Sequence, residues 1–200
     1  MTPIGGVVLA AGLSRRMGRE KVLLRLGGAT PLERVIDGLK AAGVAQPIVV
    51  LREDLTEGIA LAGCRGARVV VNAHPEDEML LSIRLGIAAL AASVDVFFVW
   101  PADHPAVAAD TLRGLLARAA PERVVIPVYR GHRGHPALVG RALLGDITAI
   151  PPGEGLHRLW RDRPEVLEEF AVADEGVVLD MNTPEDYARV SAKLSANLSG

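Results

Sequence analysis

Short apolar runs rich in β-branched residues alternate along this chain with segments of helical periodicity, and this alternation constrains the fold most strongly. The runs are Ile4–Ala10, Pro47–Leu51, Arg68–Val71, Val94–Trp100 and Arg123–Tyr129. Between the first two runs, apolar residues recur with the period of a half-buried helix, at Leu32, Val35, Ile36 and Leu39. Strands that alternate with helices predict an α/β fold, a three-layer sandwich with a mostly parallel central sheet.

The rest of the chain supports one continuous unit of this kind. A short strand is expected at Val177–Leu179, and a closing helix at Pro184–Leu194, with proline in its first position. Pro127 predicts an edge strand or a bulge, because proline cannot donate a backbone hydrogen bond. Two hundred residues suffice for one good-sized domain. We therefore expect a single domain over residues 1–195 and a frayed tail at 196–200.

Composition excludes several classes of protein. Half of the residues are hydrophobic and 23% are charged, which favours a folded chain over a disordered one. The net charge of −2 disfavours a nucleic-acid-binding surface. Cys64 is the only cysteine, so the chain cannot form an intrachain disulfide or an all-cysteine zinc site. No apolar run approaches the roughly 20 residues that span a bilayer, and the first residues lack a basic signal-peptide region, so the cytoplasm is the expected location.

The loop after the first run is rich in glycine and positive charge. Arg15, Arg16, Arg19 and Lys21 lie within seven residues and follow Gly12. Backbone N–H groups of a glycine loop at the end of a strand can approach an anion closely, so the loop suits a polyphosphate. It matches neither a P-loop nor a dinucleotide fingerprint. A solvated basic turn is the alternative that charge and glycine alone leave open.

Two later segments carry polar groups at predicted strand ends. Asp103 follows the apolar run that ends at Trp100, where a carboxylate can hold Mg²⁺ against phosphate oxygens or simply form a turn. The loop Gly131–Pro136 contains two histidines and an arginine and could bind an anion or a metal. A zinc site there is disfavoured, because no further Cys or His lies at ligand spacing.

The segment Leu9–Lys21 resembles the L-A-[AG]-G-x-S-x-R-M-G-x-x-K opening of the molybdenum cofactor nucleotidyltransferase family, with every fixed position present. The resemblance implies a nucleotide-diphosphosugar-transferase-like fold whose first loop wraps a nucleoside triphosphate. It implies nucleotide-binding roles for Leu9, Ala10, Ala11, Gly12, Ser14, Arg16 and Lys21. The family's cytidylyl branch tends to have alanine where its guanylyl branch has glycine, so Ala11 favours CTP over GTP.

The same resemblance assigns the later segments. The family's [AG]-D-x-P segment implies that Asp103 coordinates the metal, whereas His104 occupies the variable position and receives no role. The match of Gly134 and His135 to G-x-x-G-H-P implies acceptor-binding roles. The closing D-x-[DN]-T-P-E-D segment makes Asp180 and Asn182 candidates for a further metal contact, although cytidylyl members usually have Asp where Asn182 stands.

The chain departs from the family in two loops that influence what is bound. Where cytidylyl members carry G-M-x-x-S, this chain keeps Ser82, a nucleotide-binding candidate, but has Glu78, Leu80 and Leu81 in place of small or polar residues. The segment Gly153–His157 also differs from the family's Gly-Asp-x-Gly. These departures bear on the acceptor more than on nucleotidyl transfer.

The expected activity is Mg²⁺-dependent transfer of CMP from CTP to a phosphorylated acceptor, with molybdopterin as the acceptor that the resemblance implies. Arg16, Lys21 and Asp103 are the catalytic candidates, because attack at the α-phosphorus builds negative charge. One alternative is the same chemistry with GTP, or on a sugar phosphate or another phosphorylated alcohol. Another is a non-catalytic protein that delivers nucleotide or cofactor to a molybdoenzyme client.

Overall fold

The computed structural model describes residues 3–12, 20–74 and 79–196, in which strands and helices alternate as predicted. The strands are β1 Ile4–Leu9, β2 Ile48–Arg52, β3 Arg68–Asn72, β4 Val96–Pro101, β5 Val124–Tyr129, β6 His132–Arg133, β7 Ala137–Gly140 and β8 Leu167–Ala171. The helices are α1 Pro31–Ala41, α2 Thr56–Cys64, α3 Met79–Ala88, α4 Ala109–Leu116, α5 Leu144–Ala149, α6 His157–Asp162 and α7 Pro184–Ala196.

The strands form one sheet in the order β3-β2-β1-β4-β7-β5-β6, with β8 on the other side of β5. The pairs β3–β2, β2–β1, β1–β4 and β5–β8 are parallel, whereas β7 is antiparallel to both of its neighbours. The predicted mostly parallel α/β sandwich is therefore confirmed. The carboxyl ends of β1, β2, β3, β4 and β5 share one edge of the sheet, and the amino end of β7 lies at that same edge.

Helices cover both faces of the sheet because side chains alternate across each strand. Phe98 contributes to the core under α1, α2 and α4, and its neighbour Phe97 to the core under α3, α5 and α6. Gly86 allows α3 to lie close to β1, since a Cβ atom there would lie 2.2 Å from Val7 Cγ1. A smaller apolar cluster joins α7, through Val190, to Leu26 and Met181.

Local sequence signals account for the ends of several helices. Thr30 and Glu33 form a reciprocal capping box at the start of α1, and Pro31 occupies the first position of that helix. Helix α7 starts at Pro184 as predicted and continues to Ala196, so the rest of the predicted tail, 197–200, lies outside the described residues. Among the residues that the structure describes, no helix is both long enough and apolar enough to cross a membrane.

One local expectation was wrong, and of the two alternatives for Pro127, an edge strand or a bulge, the edge strand was wrong. The expected strand at Val177–Leu179 is instead a 3-10 turn over Glu175–Val178, whose Val177 carbonyl accepts a hydrogen bond from the His135 N–H. Pro127 does not lie in an edge strand, because β5 is paired on both sides. It lies where the antiparallel partner of β5 changes from β7 to β6, and its carbonyl accepts from the Gly134 N–H.

Candidate active site

The ends of β1 and β4 bring the first loop beside Asp103. Leu9 pairs with Pro101 in parallel register, and the Ala102 N–H donates to the Leu9 carbonyl at 2.9 Å. The segment 10–12 and Asp103 therefore follow two neighbouring strand ends and lie next to each other. In a parallel sheet this edge is where ligands bind, between the loops that follow neighbouring strands.

Lys21 connects three segments that are far apart in the sequence. Its ammonium nitrogen lies 2.6 Å from Asp103 Oδ2 and 2.8 Å from Asn182 Oδ1. The Asn182 amide in turn donates to the Asp180 carboxylate. Burial would raise the pKa of Asp103, but the hydrogen bond and charge of His104 and the charge of Lys21 together hold it well below its usual range. Asp103 is therefore a carboxylate at any physiological pH.

These oxygens fit a hard divalent cation. Asp103 and Asp180 contribute carboxylates and Asn182 an amide oxygen, the donor types that Mg²⁺ prefers. The Lys21 ammonium already lies between two of them, which shows that this position favours positive charge. In the described ranges, no three residues of the His, Cys, Asp and Glu types are placed to hold a metal.

His104 is a site residue that sequence reasoning missed. Its Nδ1 lies 2.9 Å from Asp103 Oδ1, and its ring meets the His135 ring edge-on with the centroids 4.6 Å apart. Burial and the neighbouring His104 lower the pKa of His135 to about 4, so His135 is neutral near pH 7. The available signal was the position of His104 next to Asp103, with a second histidine in the loop before β7.

Two adjoining cavities open at this edge of the sheet. The smaller, of about 180 Å³, is lined by Ala10, Ala11, Gly12, Lys21, Ser82 and Asp103, among others. The larger, of about 360 Å³, is lined by Gly134 and His135, among others. Both are bordered by Leu9, Met79 and Pro101, so a molecule in one would meet a molecule in the other. The predicted nucleotide-binding residues that the structure describes all line the smaller cavity, Leu9 lines both cavities, and Gly134 and His135 line the larger one.

The larger cavity is an apolar slot above the sheet. Leu9, Val99, Ile126 and Ala137 of four strands lie along it, and α3 and α6 border it with Ile83 and Trp160 among other residues. Its polar lining includes the charged Arg133 and two histidines, His135 and His157. Sequence reasoning did not identify Trp160, because a single tryptophan in a helix is more often a core residue.

Arg52 is a second residue that sequence reasoning missed. It is buried at the end of β2, and its Nη1 donates to the Gly12 carbonyl at 3.0 Å. Its guanidinium also forms ion pairs with Glu20 and with Asp54. Arg52 therefore attaches Gly12 and Glu20 to the sheet. The signal in the sequence was a charged residue directly after an apolar run, at a strand's carboxyl end.

The remaining candidates divide between described and undescribed positions. Ser14, Arg16 and Glu78 lie outside the described residues. Ser82 is buried and its hydroxyl accepts from the Asn72 amide at 3.0 Å. Leu80 belongs to the core under α3, which explains an apolar residue where the family resemblance led us to expect a small or polar one.

Comparison with known proteins identifies one family. Residues 6–167 match the model of the MobA-like NTP transferase domain. The chain is 31% identical over 201 residues to a probable molybdenum cofactor guanylyltransferase of Mycobacterium bovis (strain BCG / Pasteur 1173P2), covering 90% of each chain. It is 34% identical over 189 residues to the 2-C-methyl-D-erythritol 4-phosphate cytidylyltransferase of Rhodococcus jostii, covering 89% of this chain and 79% of that one. It is 23% identical over 187 residues to the molybdenum cofactor cytidylyltransferase of Escherichia coli K12, covering 94% and 95%.

Solved structures agree with this comparison. A nucleotidyl transferase from Methanothermobacter superposes with a TM-score of 0.85 at 28% identity, over 98% of this chain and all (100%) of that one. The Rv0371c protein of Mycobacterium tuberculosis H37Rv superposes with a TM-score of 0.84 at 30% identity, over 96% and 98%. A second structure of that protein is a complex with manganese, with a TM-score of 0.79 at 29% identity over 96% and 99%.

Proposed function

Because this chain belongs to the MobA-like NTP transferase family, we propose that it transfers CMP from CTP to the terminal phosphate of molybdopterin and releases pyrophosphate. One observation carries the proposal. Lys21 and Asp103 meet in a small cavity that is bordered by a glycine loop and shares Leu9, Met79 and Pro101 with the apolar slot. A reaction between a nucleotide in the first and an acceptor in the second would occur beside these two residues.

The smaller cavity has the chemistry of a polyphosphate site. The loop residues Ala10–Gly12 border it, and the Lys21 ammonium supplies positive charge. Asp103, Asp180 and Asn182 would hold Mg²⁺, which when bound would neutralise charge on the phosphate oxygens. Support for a divalent cation comes also from the M. tuberculosis relative, whose structure is a complex with manganese. The contribution of Arg16 stays a prediction from the sequence.

Transfer requires one bond to form and one to break. An oxygen of the acceptor's terminal phosphate attacks the α-phosphorus, and the bond to the β-phosphate oxygen breaks as pyrophosphate leaves. A phosphate dianion is already a competent nucleophile, so no side chain needs to accept a proton. Lys21 stabilises the negative charge that develops on the transferring group.

The shape of the slot favours molybdopterin over a polyol phosphate as the acceptor. Leu9, Val99 and Ile126 line it, and Trp160 is the one tryptophan that borders it. Apolar walls and the Trp160 ring suit the flat faces of a fused heterocycle, whereas a flexible polyol phosphate has no flat face to pack against them. The Arg133 guanidinium, which also borders the slot, suits the acceptor's phosphate end, and the neutral His135 ring can donate a hydrogen bond to it.

Ala11 supports CTP as the donor. Its side chain is buried and borders the smaller cavity, so its methyl group narrows a space that glycine would leave open. A pyrimidine needs less room than a purine. Relatives of either base specificity are similar to this chain, and the proposed base therefore depends on this residue.

The test is pyrophosphate release from CTP, GTP, ATP and UTP, each with Mg²⁺ and molybdopterin. We expect release with CTP, reduced at least about 100-fold in Asp103→Ala because a charge-stabilising group is lost. Asp110→Ala, which removes a carboxylate that is 83% exposed on α4, is the matched control and should keep full activity.

Each other outcome changes one part of the proposal. Release with GTP alone would keep the chemistry and overturn the base. Release with 2-C-methyl-D-erythritol 4-phosphate but not with molybdopterin would overturn the acceptor. Nucleotide binding without any release would favour a non-catalytic binding protein, and full turnover in Asp103→Ala would overturn the role of that carboxylate.

A further inference from the structure

His104 is held in place by its backbone as well as by its ring. Its N–H donates to the Pro101 carbonyl at 3.2 Å, and its own carbonyl accepts from the buried Trp100 indole at 3.0 Å. These two bonds fix the turn after β4 whatever the side chain at position 104 is. The imidazole is therefore presented to Asp103 by a rigid support, and its contact with that carboxylate needs a separate explanation.

The two oxygens of Asp103 have different partners. Oδ2 lies 2.6 Å from the Lys21 ammonium, and Oδ1 lies 2.9 Å from His104 Nδ1. Lys21 has a long side chain that can turn toward a phosphate. His104 has only two rotatable bonds, and its ring is packed edge-on against His135 at 4.6 Å. We expect the hydrogen bond to His104 to persist when Lys21 moves, so that Asp103 Oδ1 stays bonded to the imidazole while Oδ2 can bind another partner.

We propose that His104 is a positioning residue, whose imidazole N–H holds one oxygen of Asp103 and so aims the other at the divalent cation. This inference rests on the proposed role of Asp103 as a cation ligand. Hydrogen bonds to ligating carboxylates orient them, and their loss lowers metal affinity by about 10–100-fold. The two side chains are only 12% and 18% exposed, so water cannot readily replace the imidazole as the donor.

Two amide substitutions separate the hydrogen bond from the bulk of the ring. The amide nitrogen of asparagine can occupy the place of Nδ1, so His104→Asn keeps a donor for Asp103. Glutamine carries its amide one methylene farther out, so His104→Gln is polar and of similar size but presents the donor elsewhere. His104→Phe keeps the ring against His135 and removes the donor entirely.

The measurement is the affinity of the full chain for Mn²⁺ alone, obtained from the electron paramagnetic resonance signal of the free ion. The thermal unfolding midpoint of each variant shows whether it is folded. We expect His104→Gln and His104→Phe to bind Mn²⁺ about 10–100-fold more weakly than the unsubstituted protein. His104→Asn should stay within about threefold, a difference of ~0.7 kcal/mol. A merely structural role would change the unfolding midpoint and leave affinity equal among folded variants.

Asp103→Asn distinguishes the two proposals. If it weakens Mn²⁺ binding while His104→Gln and His104→Phe bind like the unsubstituted protein, the positioning role is wrong and the cation site stands. Equal weakening in His104→Asn and His104→Gln would also overturn the role, because the donor position would not matter. Unchanged Mn²⁺ binding in Asp103→Asn would overturn the cation site itself, and with it the role of His104.

Discussion

Replacing Lys21 by methionine should strengthen cation binding while it weakens catalysis. The ammonium lies 2.6 Å from Asp103 Oδ2 and 2.8 Å from Asn182 Oδ1, between oxygens that we propose as cation ligands. Without nucleotide, a divalent ion can bind there only by displacing the Lys21 ammonium. A bound phosphate would attract the ammonium away and so vacate the position. Methionine has similar length and no charge, so Lys21→Met removes the competitor and keeps most of the packing.

The structure bounds the size of the effect. The side chains of Lys21 and Asp103 are 14% and 18% exposed, so their contact is worth more than a surface ion pair but is not fully desolvated. A hydrogen bond to a charged group contributes about 1.5–3 kcal/mol net, and ~1.4 kcal/mol corresponds to a tenfold change in affinity. Lys21→Met should therefore bind Mn²⁺ about 10–100-fold more tightly without nucleotide, whereas loss of the charge should lower kcat about 100–1,000-fold.

Free Mn²⁺ measured by electron paramagnetic resonance gives the affinity, and pyrophosphate release gives the rate. Mn²⁺ should also raise the unfolding midpoint more in Lys21→Met than in the unsubstituted protein, because tighter binding stabilises the folded state further. Lys40→Met is the matched control, since it removes the charge of an exposed lysine on α1 whose ammonium donates to the Arg65 carbonyl. Mn²⁺ affinity in Lys21→Met that is equal to or below that of the unsubstituted protein would refute the reasoning, because the ammonium would then not compete for the site.

Two further predictions concern the slot and its histidine. Trp160→Leu should raise the KM for the acceptor about tenfold, which corresponds to ~1.4 kcal/mol of lost aromatic contact, and leave the KM for CTP unchanged. Steady-state kinetics measures both constants. Equal changes in the two KM values would contradict the proposal that Trp160 contacts the acceptor. Because burial lowers the pKa of His135 to about 4 from 6.5, the unfolded chain binds this proton first as the pH falls. The free energy of unfolding should therefore drop by about 3 kcal/mol between pH 6.5 and 4, an interval in which Asp103 is ionised in the folded state. Urea titrations at a series of pH values should show that the free energy of unfolding of His135→Gln falls less steeply with decreasing pH. The same pH dependence in His135→Gln and the unsubstituted protein would assign the effect to other groups.

The buried strands could be predicted from the sequence because both of their faces are covered. The runs that became β1, β2, β4 and β5 are nearly continuous in apolar residues, and their observed ends lie close to the predicted ones. Strand β8 was missed for the opposite reason. Among the described strands it pairs with β5 alone, and it carries Glu168 and Glu169, which form ion pairs with Arg123 and Arg133, so its apolar pattern is too weak to signal a strand.

The candidate site residues that a motif contains could be named from the sequence, but their contacts could not. Lys21 reaches Asp103 across 82 positions and Asn182 across 161, and no local pattern specifies such pairs. His104 and Arg52 were missed because each acts through a neighbour. One holds the Asp103 carboxylate and the other holds Gly12, and such roles depend on side-chain geometry that only the folded chain defines.

The antiparallel strand β7 explains why the two cavities adjoin. It lies between β4 and β5 and runs against both, so its amino end reaches the edge where the parallel strands end. A parallel strand in that place would start at the opposite edge and carry the preceding loop away from Asp103. Gly134 completes the arrangement, because a Cβ atom there would lie 2.4 Å from the Val177 carbonyl, which binds the His135 N–H. One reversed strand and one glycine thus bring His135, which lines the apolar slot, against His104, which contacts the carboxylate that we propose to bind the cation.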